Sequence, residues 1–133
     1  MLQEKSRDSL KDIIKLCDYW TIQFLNSKYS KEFDEEQFFH CPYIILNFME
    51  NMYVYFSLTP KEWNKEALEE WFIFILPKKV SVNKSFFKII PPILSKFFSF
   101  LQDNQIIKND LNLKMGLFKV KEKIKNVSIS PKI

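Results

Sequence analysis

The sequence predicts an all-α fold, a compact bundle of about five helices in one domain spanning 1–133. Three observations lead there. The 133 residues include 1 Gly, where an average usage of ~7% would give about nine, and turn-rich β folds draw on glycine for positive φ. Apolar residues recur at spacings of three and four through most of the chain, the helical period. Hydrophobic residues make up 47% and charged residues 27%, the balance of a globular chain long enough to bury a core.

The first predicted helix is 6–28, with Leu10, Ile13, Ile14, Cys17, Thr21, Phe24 and Leu25 on one face and Ser6 as N-cap. A short helix over 31–40 would carry Phe33, Phe38 and Phe39, started by Ser30. Pro42 disfavours α at Cys41, so the next helix is placed at 43–57, with Ile44, Ile45, Phe48, Met49, Met52, Tyr55 and Phe56 on its apolar face. Thr59-Pro60-Lys61-Glu62 fits a capping box, and Asn64 offers a second N-cap with Trp63 stapling onto Leu68. A turn at 60–63 running into a helix that Pro77 ends gives a predicted element over 60–76. Residues 78–83 read as a polar connector, with Ser81 or Asn83 capping one helical turn at 84–89.

Pro91 and Pro92 force extended backbone at Ile90 and Pro91, and Pro92 opens a new helix, 92–103, striped by Leu94, Phe97, Phe98 and Leu101. The last predicted helix, 109–125, starts at Asn109 or Asp110 and buries Leu113, Leu117, Val120 and Ile124, with lysines on its remaining faces. Residues 126–133 read as a frayed tail. The predicted core is Trp20, Phe24, Phe48, Met52, Leu68, Trp71, Phe72, Leu94, Phe97, Phe98, Leu101 and Leu117.

From Trp63 onward the chain resembles a small helical domain of uncharacterised prokaryotic proteins. The matching residues are Trp63, Glu66, Leu68, Trp71, Phe72, Leu76, Pro77, Lys78, Lys79 and Val80, then Pro92, Leu94, Phe97, Phe98, Phe100 and Leu101. The resemblance covers residues 63–101 and implies a shared helical fold. It carries no activity or site residue. Some of those proteins add a Cys-rich metal-binding tail, which this sequence lacks, so no metal is implied.

Charge is divided unevenly. Residues 1–77 hold 8 Lys+Arg against 13 Asp+Glu, and residues 78–133 hold 12 Lys against 3 Asp+Glu. The hydrophobic segments 43–58 and 86–101 are interrupted by Asn47, Glu50 and Asn51 and by Lys88 and Lys96, so no membrane span is expected. The polar start MLQEKSRDS does not read as a signal peptide, and a cytoplasmic location is the expectation.

Little in the sequence points to catalysis. His40, Cys41 and Cys17 lack the paired spacing of zinc sites, and two isolated cysteines make no disulfide framework. The carboxylates at 32–36 and at 62–70 fit helix starts and solvated faces rather than an acid–base pair. Phosphate loops need several glycines, and Gly116 stands alone. No catalytic residue, cofactor or metal ligand is assigned, and the protein is expected not to be an enzyme. The leading expectation is a non-enzymatic accessory or protein–protein interaction module, its partner itself or another protein, with Phe86 and Phe87 as a candidate partner surface. The alternative is nucleic-acid binding through the Lys-rich residues 78–125, with Lys114, Lys119, Lys121, Lys123 and Lys125 as phosphate contacts.

Overall fold

A computed structural model describes residues 2–79 and 84–129, and the side chains of 10–78 and 85–123. Among these residues every regular element is helical. The chain divides into two compact units, Met1–Glu62 and Trp63–Ile133.

The first unit pairs two long helices. α1 runs Leu2–Leu25, starting ahead of the expected Ser6 cap. A 3-10 turn, Lys28–Ser30, follows, with the Ser27 side chain accepting from the Tyr29 N–H. α2 runs Glu35–Phe56 without a break. Two predictions are corrected here. The expected cap, Ser30, lies in the 3-10 turn, and Asp34 is the true cap. Its Oδ1 accepts from the Gln37 N–H at 2.8 Å, while Gln37 Oε1 accepts from the Asp34 N–H at 3.0 Å, a reciprocal capping box. The separate helices 31–40 and 43–57 are one helix that contains Pro42.

An interior proline costs roughly 3 kcal/mol. Cys41, Ile44, Ile45, Phe48, Met49 and Met52 are all buried on the same helix, and each large side chain buried contributes about 1.5–3 kcal/mol. The sum outweighs the proline. α1 packs along α2, with Ile13, Cys17 and Phe24 of α1 buried and Phe24 meeting Phe33 edge-on at 5.8 Å. Trp20, expected in the core, is half-buried. Ser57 ends α2 in the left-handed region at φ 58°. Beyond it Pro60–Glu62 forms the expected turn. The Glu62 carboxylate accepts from both the Thr59 N–H and its hydroxyl, which holds its pKa below the ordinary value.

In the second unit, α3 consists of Lys65–Glu70, a π turn Trp71–Ile75 and Leu76–Lys79. Pro77 does not end it. In an α turn the ring would crowd the Ile73 carbonyl and leave it unbonded. Just upstream the helix widens instead, and the Leu76 N–H bonds the Trp71 carbonyl. Asn64 caps α3, its Oδ1 accepting from the Ala67 N–H at 2.8 Å. Trp63 and Leu68 hold the two staple positions, and both are buried.

α4 spans Lys84–Asp103 straight through Pro91 and Pro92. The expected extended segment at Ile90 and Pro91 is therefore absent, and the helix does not begin at Pro92. Phe86, Ile90, Ile93, Leu94, Phe97, Phe98 and Leu101 are buried along it, again enough to outweigh the backbone bonds lost. α4 closes in a Schellman motif: the Ile106 N–H bonds the Leu101 carbonyl, the Gln105 N–H bonds the Gln102 carbonyl, and Gln105 takes φ 62°. α5 runs Asp110–Ile129, beyond the predicted end at 125. Of the expected polar connector, residues 80–83 and their candidate caps Ser81 and Asn83 lie outside the described residues, as does 130–133 of the expected tail. α3 and α4 both pack on α5. Trp63 lies against Phe98 at 6.0 Å and Phe97 stacks on Phe100 at 6.4 Å. Eleven of the twelve predicted core residues are buried, Trp20 being the exception.

Candidate functional site

α5 is fixed at its start by side chains reaching between helices. Asn109 Nδ2 donates to the Trp63 carbonyl at 2.8 Å, and Asn112 Oδ1 accepts from the Lys65 N–H at 3.2 Å. Gln102 Oε1 accepts from the Asp110 N–H. Gly116 lets the two helices approach: a Cβ there would stand 3.1 Å from Lys65 Cβ and 3.3 Å from Lys65 Cα. Leu113, Leu117 and Val120 are buried on the same side.

The opposite side carries a second apolar stripe. Leu111, Met115 and Phe118 are 74%, 54% and 63% exposed. Their spacing of four and three places them within about 60° of one another around the helix, facing away from the buried row. Lys119 and Lys123 flank this stripe on one side and Lys121 on the other, all three exposed. Glu122 falls in line with the stripe, one turn beyond Phe118. The prediction of lysines on every remaining face is thus corrected. Among the described residues the exposed lysines of α5 stand on two flanks, with Phe118 and Glu122 between them.

The other predicted site residues divide. Lys114 is half-buried, with its Nζ 3.3 Å from Asp110 Oδ2 and 2.6 Å from Ser99 Oγ, so its charge is committed within the unit. The Lys125 side chain lies outside the described residues. Phe86 is only 8% exposed and Phe87 is half-buried, its ring 5.7 Å from Phe72. That pair offers a partner little surface.

In the first unit, α1 and α2 leave an open cleft of about 460 Å³ lined by Cys17, Asp18, Thr21, Ile22, Leu25, Pro42, Tyr43 and Leu46. Ile22 and Tyr43 are exposed at its edge, and Phe39, one turn before Tyr43, is 78% exposed. Asp18 is the one charged residue among the described residues of this lining, and Lys15 is exposed one turn before it on α1. Asp18 and Glu50 both act on the Cys17 thiol. Glu35 and Glu36 stand exposed at the start of α2.

Burial pushes Cys17 up to about 11 and Cys41 up to about 12. Both are free and buried, the condition of unreactive thiols. His40 packs edge-on against Phe39 at 5.0 Å. Among the described residues no group of three or more His, Cys, Asp or Glu side chains is placed to hold a metal ion. No described helix is long and apolar enough to cross a membrane.

No family model, curated protein or solved structure matches this chain.

Leu111, Met115 and Phe118 were not legible as site residues because the row Leu113–Leu117–Val120 already satisfies an amphipathic reading. The signal that would have found them is a second i, i+4, i+7 apolar row on a helix whose first row is accounted for.

Proposed function

We propose that this chain is a protein–protein interaction module that docks partners through the outward face of α5. The observation that carries this is the exposed row Leu111, Met115 and Phe118, bordered by Lys119, Lys121 and Lys123. Single exposed apolar residues need no explanation, but a contiguous row at helical spacing with a charged border is the pattern of a docking face. Partners of this face would present apolar side chains between acidic ones, since charge complementarity speeds encounter and disfavours wrong partners.

The alternative, nucleic-acid binding, is less well supported. Its exposed lysines stand on two sides of a hydrophobic row rather than in one line along a backbone, Lys114 is bonded inside the unit, and the second half of the chain has no Arg for bidentate phosphate contact. The test is paired capture from a lysate of the source cells with the wild-type chain and with Phe118→Glu. Capture of a defined protein by the wild type and its loss in the variant is the expected result. Capture of nucleic acid that falls steeply with salt, or protein capture indifferent to Phe118→Glu, would overturn the proposal.

A further inference from the structure

We infer that the α1/α2 cleft of one copy of this chain receives the outward face of α5 from a second copy. This rests on reading α5 as a docking face and names its occupant. Two unaccounted surfaces on the same chain are complementary in shape class and in charge.

The first is a helix with apolar anchors at i, i+4 and i+7, Leu111, Met115 and Phe118, between exposed lysines. The second is a cleft between two helices, walled by Ile22, Leu25, Pro42, Tyr43 and Leu46. An amphipathic helix laid in an apolar groove is a recurrent recognition mode, and its anchors recur at this spacing. The cleft has Asp18 on its wall and Glu50 close enough to act on the same thiol, with Lys15 exposed one turn before Asp18. The opposite signs are therefore local, Asp18 and Glu50 at the cleft against Lys119, Lys121 and Lys123 on α5.

A helix meeting itself across a two-fold axis would set these lysines against each other. A head-to-tail contact sets them against carboxylates. One such contact leaves a cleft on one copy and an α5 face on the other, which either pair with each other in a reciprocal dimer or recruit further copies. One helix in one cleft buries less than the roughly 1,200 Å² of a stable interface, so the association is weak and salt-sensitive.

Sedimentation velocity over a concentration series tests this. The wild type should show a mean mass rising with concentration above the 16.1 kDa monomer, less so as salt is raised. Phe118→Glu removes a helix anchor and leaves the cleft intact. Asp18→Lys with Glu50→Lys reverses the cleft and leaves α5 intact, and Ile22→Glu serves as a second cleft variant, with far-UV circular dichroism checking the helix content of each. Each variant alone should stay monomeric, its dissociation constant raised at least tenfold. Mixed in equal amounts, a helix variant and a cleft variant should form a dimer and nothing larger, because one intact helix and one intact cleft remain.

A wild type that stays monomeric at every concentration overturns the inference. So does a mixture that fails to associate, or self-association that survives both kinds of variant. If the wild type is monomeric but still captures another protein in a Phe118-dependent way, only this inference fails. If no binding of any kind depends on Phe118, the docking role of α5 fails with it.

Discussion

Gly116→Ala is expected to destabilise the protein, although alanine is the better helix former. Replacing an interior helical glycine by alanine gains about 1 kcal/mol from propensity. At this position the added methyl group would lie 3.1 Å from Lys65 Cβ and 3.3 Å from both Lys65 Cα and the Lys65 carbonyl oxygen, inside the ~3.5–4.0 Å of ordinary carbon contacts. Relief requires the start of α3 to retreat from α5. That segment is held by the Lys65 N–H to Asn112 Oδ1, by Asn109 Nδ2 to the Trp63 carbonyl, and by the Asn64 cap on Ala67. Retreat would stretch bonds worth about 1 kcal/mol each, and overpacking of this kind costs about 1–3 kcal/mol.

The balance is a net loss of about 1 kcal/mol. In urea, with a slope of about 1–3 kcal/mol per molar, it lowers the unfolding midpoint by about 0.5 M, measured by far-UV circular dichroism. Adding Asn112→Ala should shrink the loss, because Lys65 is then freer to move. A midpoint that rises in Gly116→Ala by the full propensity gain would refute the argument that a pinned helix crossing is why the chain's one glycine is here.

Three other outcomes are expected. Pro42→Ala should raise stability by up to about 3 kcal/mol in the same titration, since Pro42 is exposed within α2 and an interior proline forfeits roughly that much, less what proline gains by restricting the unfolded chain. Gln105→Gly should stabilise by about 1 kcal/mol, because Gln105 holds φ 62° in the cap that ends α4 and glycine takes that conformation without a Cβ penalty. Cys17 and Cys41 should react slowly with a thiol reagent in the native protein and quickly in denaturant. Their folded pKa values are pushed up by burial, to about 11 and about 12 from 9.0. The unfolded thiols lose protons first, so stability is intact below pH 9 and declines as the pH climbs from there toward 11 and 12.

The parts of the fold legible in the sequence were those set by periodic burial. Leu94, Phe97, Phe98 and Leu101 are buried as their spacing requires, and the Asn64 cap and the Thr59–Glu62 turn lie where local hydrogen bonding puts them. The proline sites were misread for one physical reason. Rules for Pro42, Pro77 and Pro91–Pro92 describe what the local backbone prefers, and the burial of Ile90, Ile93 and Phe86 on a continuous α4 outweighs that preference. Pro77 is accommodated by a π turn, which leaves no sequence signature as plain as a cap.

Trp63 stands outside any helix yet is among the most deeply buried side chains. Its role as a staple residue was visible, but its packing on Phe98, 35 positions away, was not. The candidate site was the least legible part. The basic character of residues 108–125 was plain, but the split of Lys119 and Lys123 from Lys121 by an exposed hydrophobic row depends on which side of α5 meets α3 and α4.

The central claim is that the outward row of α5 is a contact surface. The most direct measurement is a dilution series of amide NMR spectra at low salt. The account predicts concentration-dependent shifts at Leu111, Met115 and Phe118 on α5 and at Ile22, Tyr43 and Leu46 beside the α1/α2 cleft, with Leu94 and Phe97 in the core unmoved. Spectra unchanged with concentration, or shifts that gather elsewhere and spare Phe118, would contradict it.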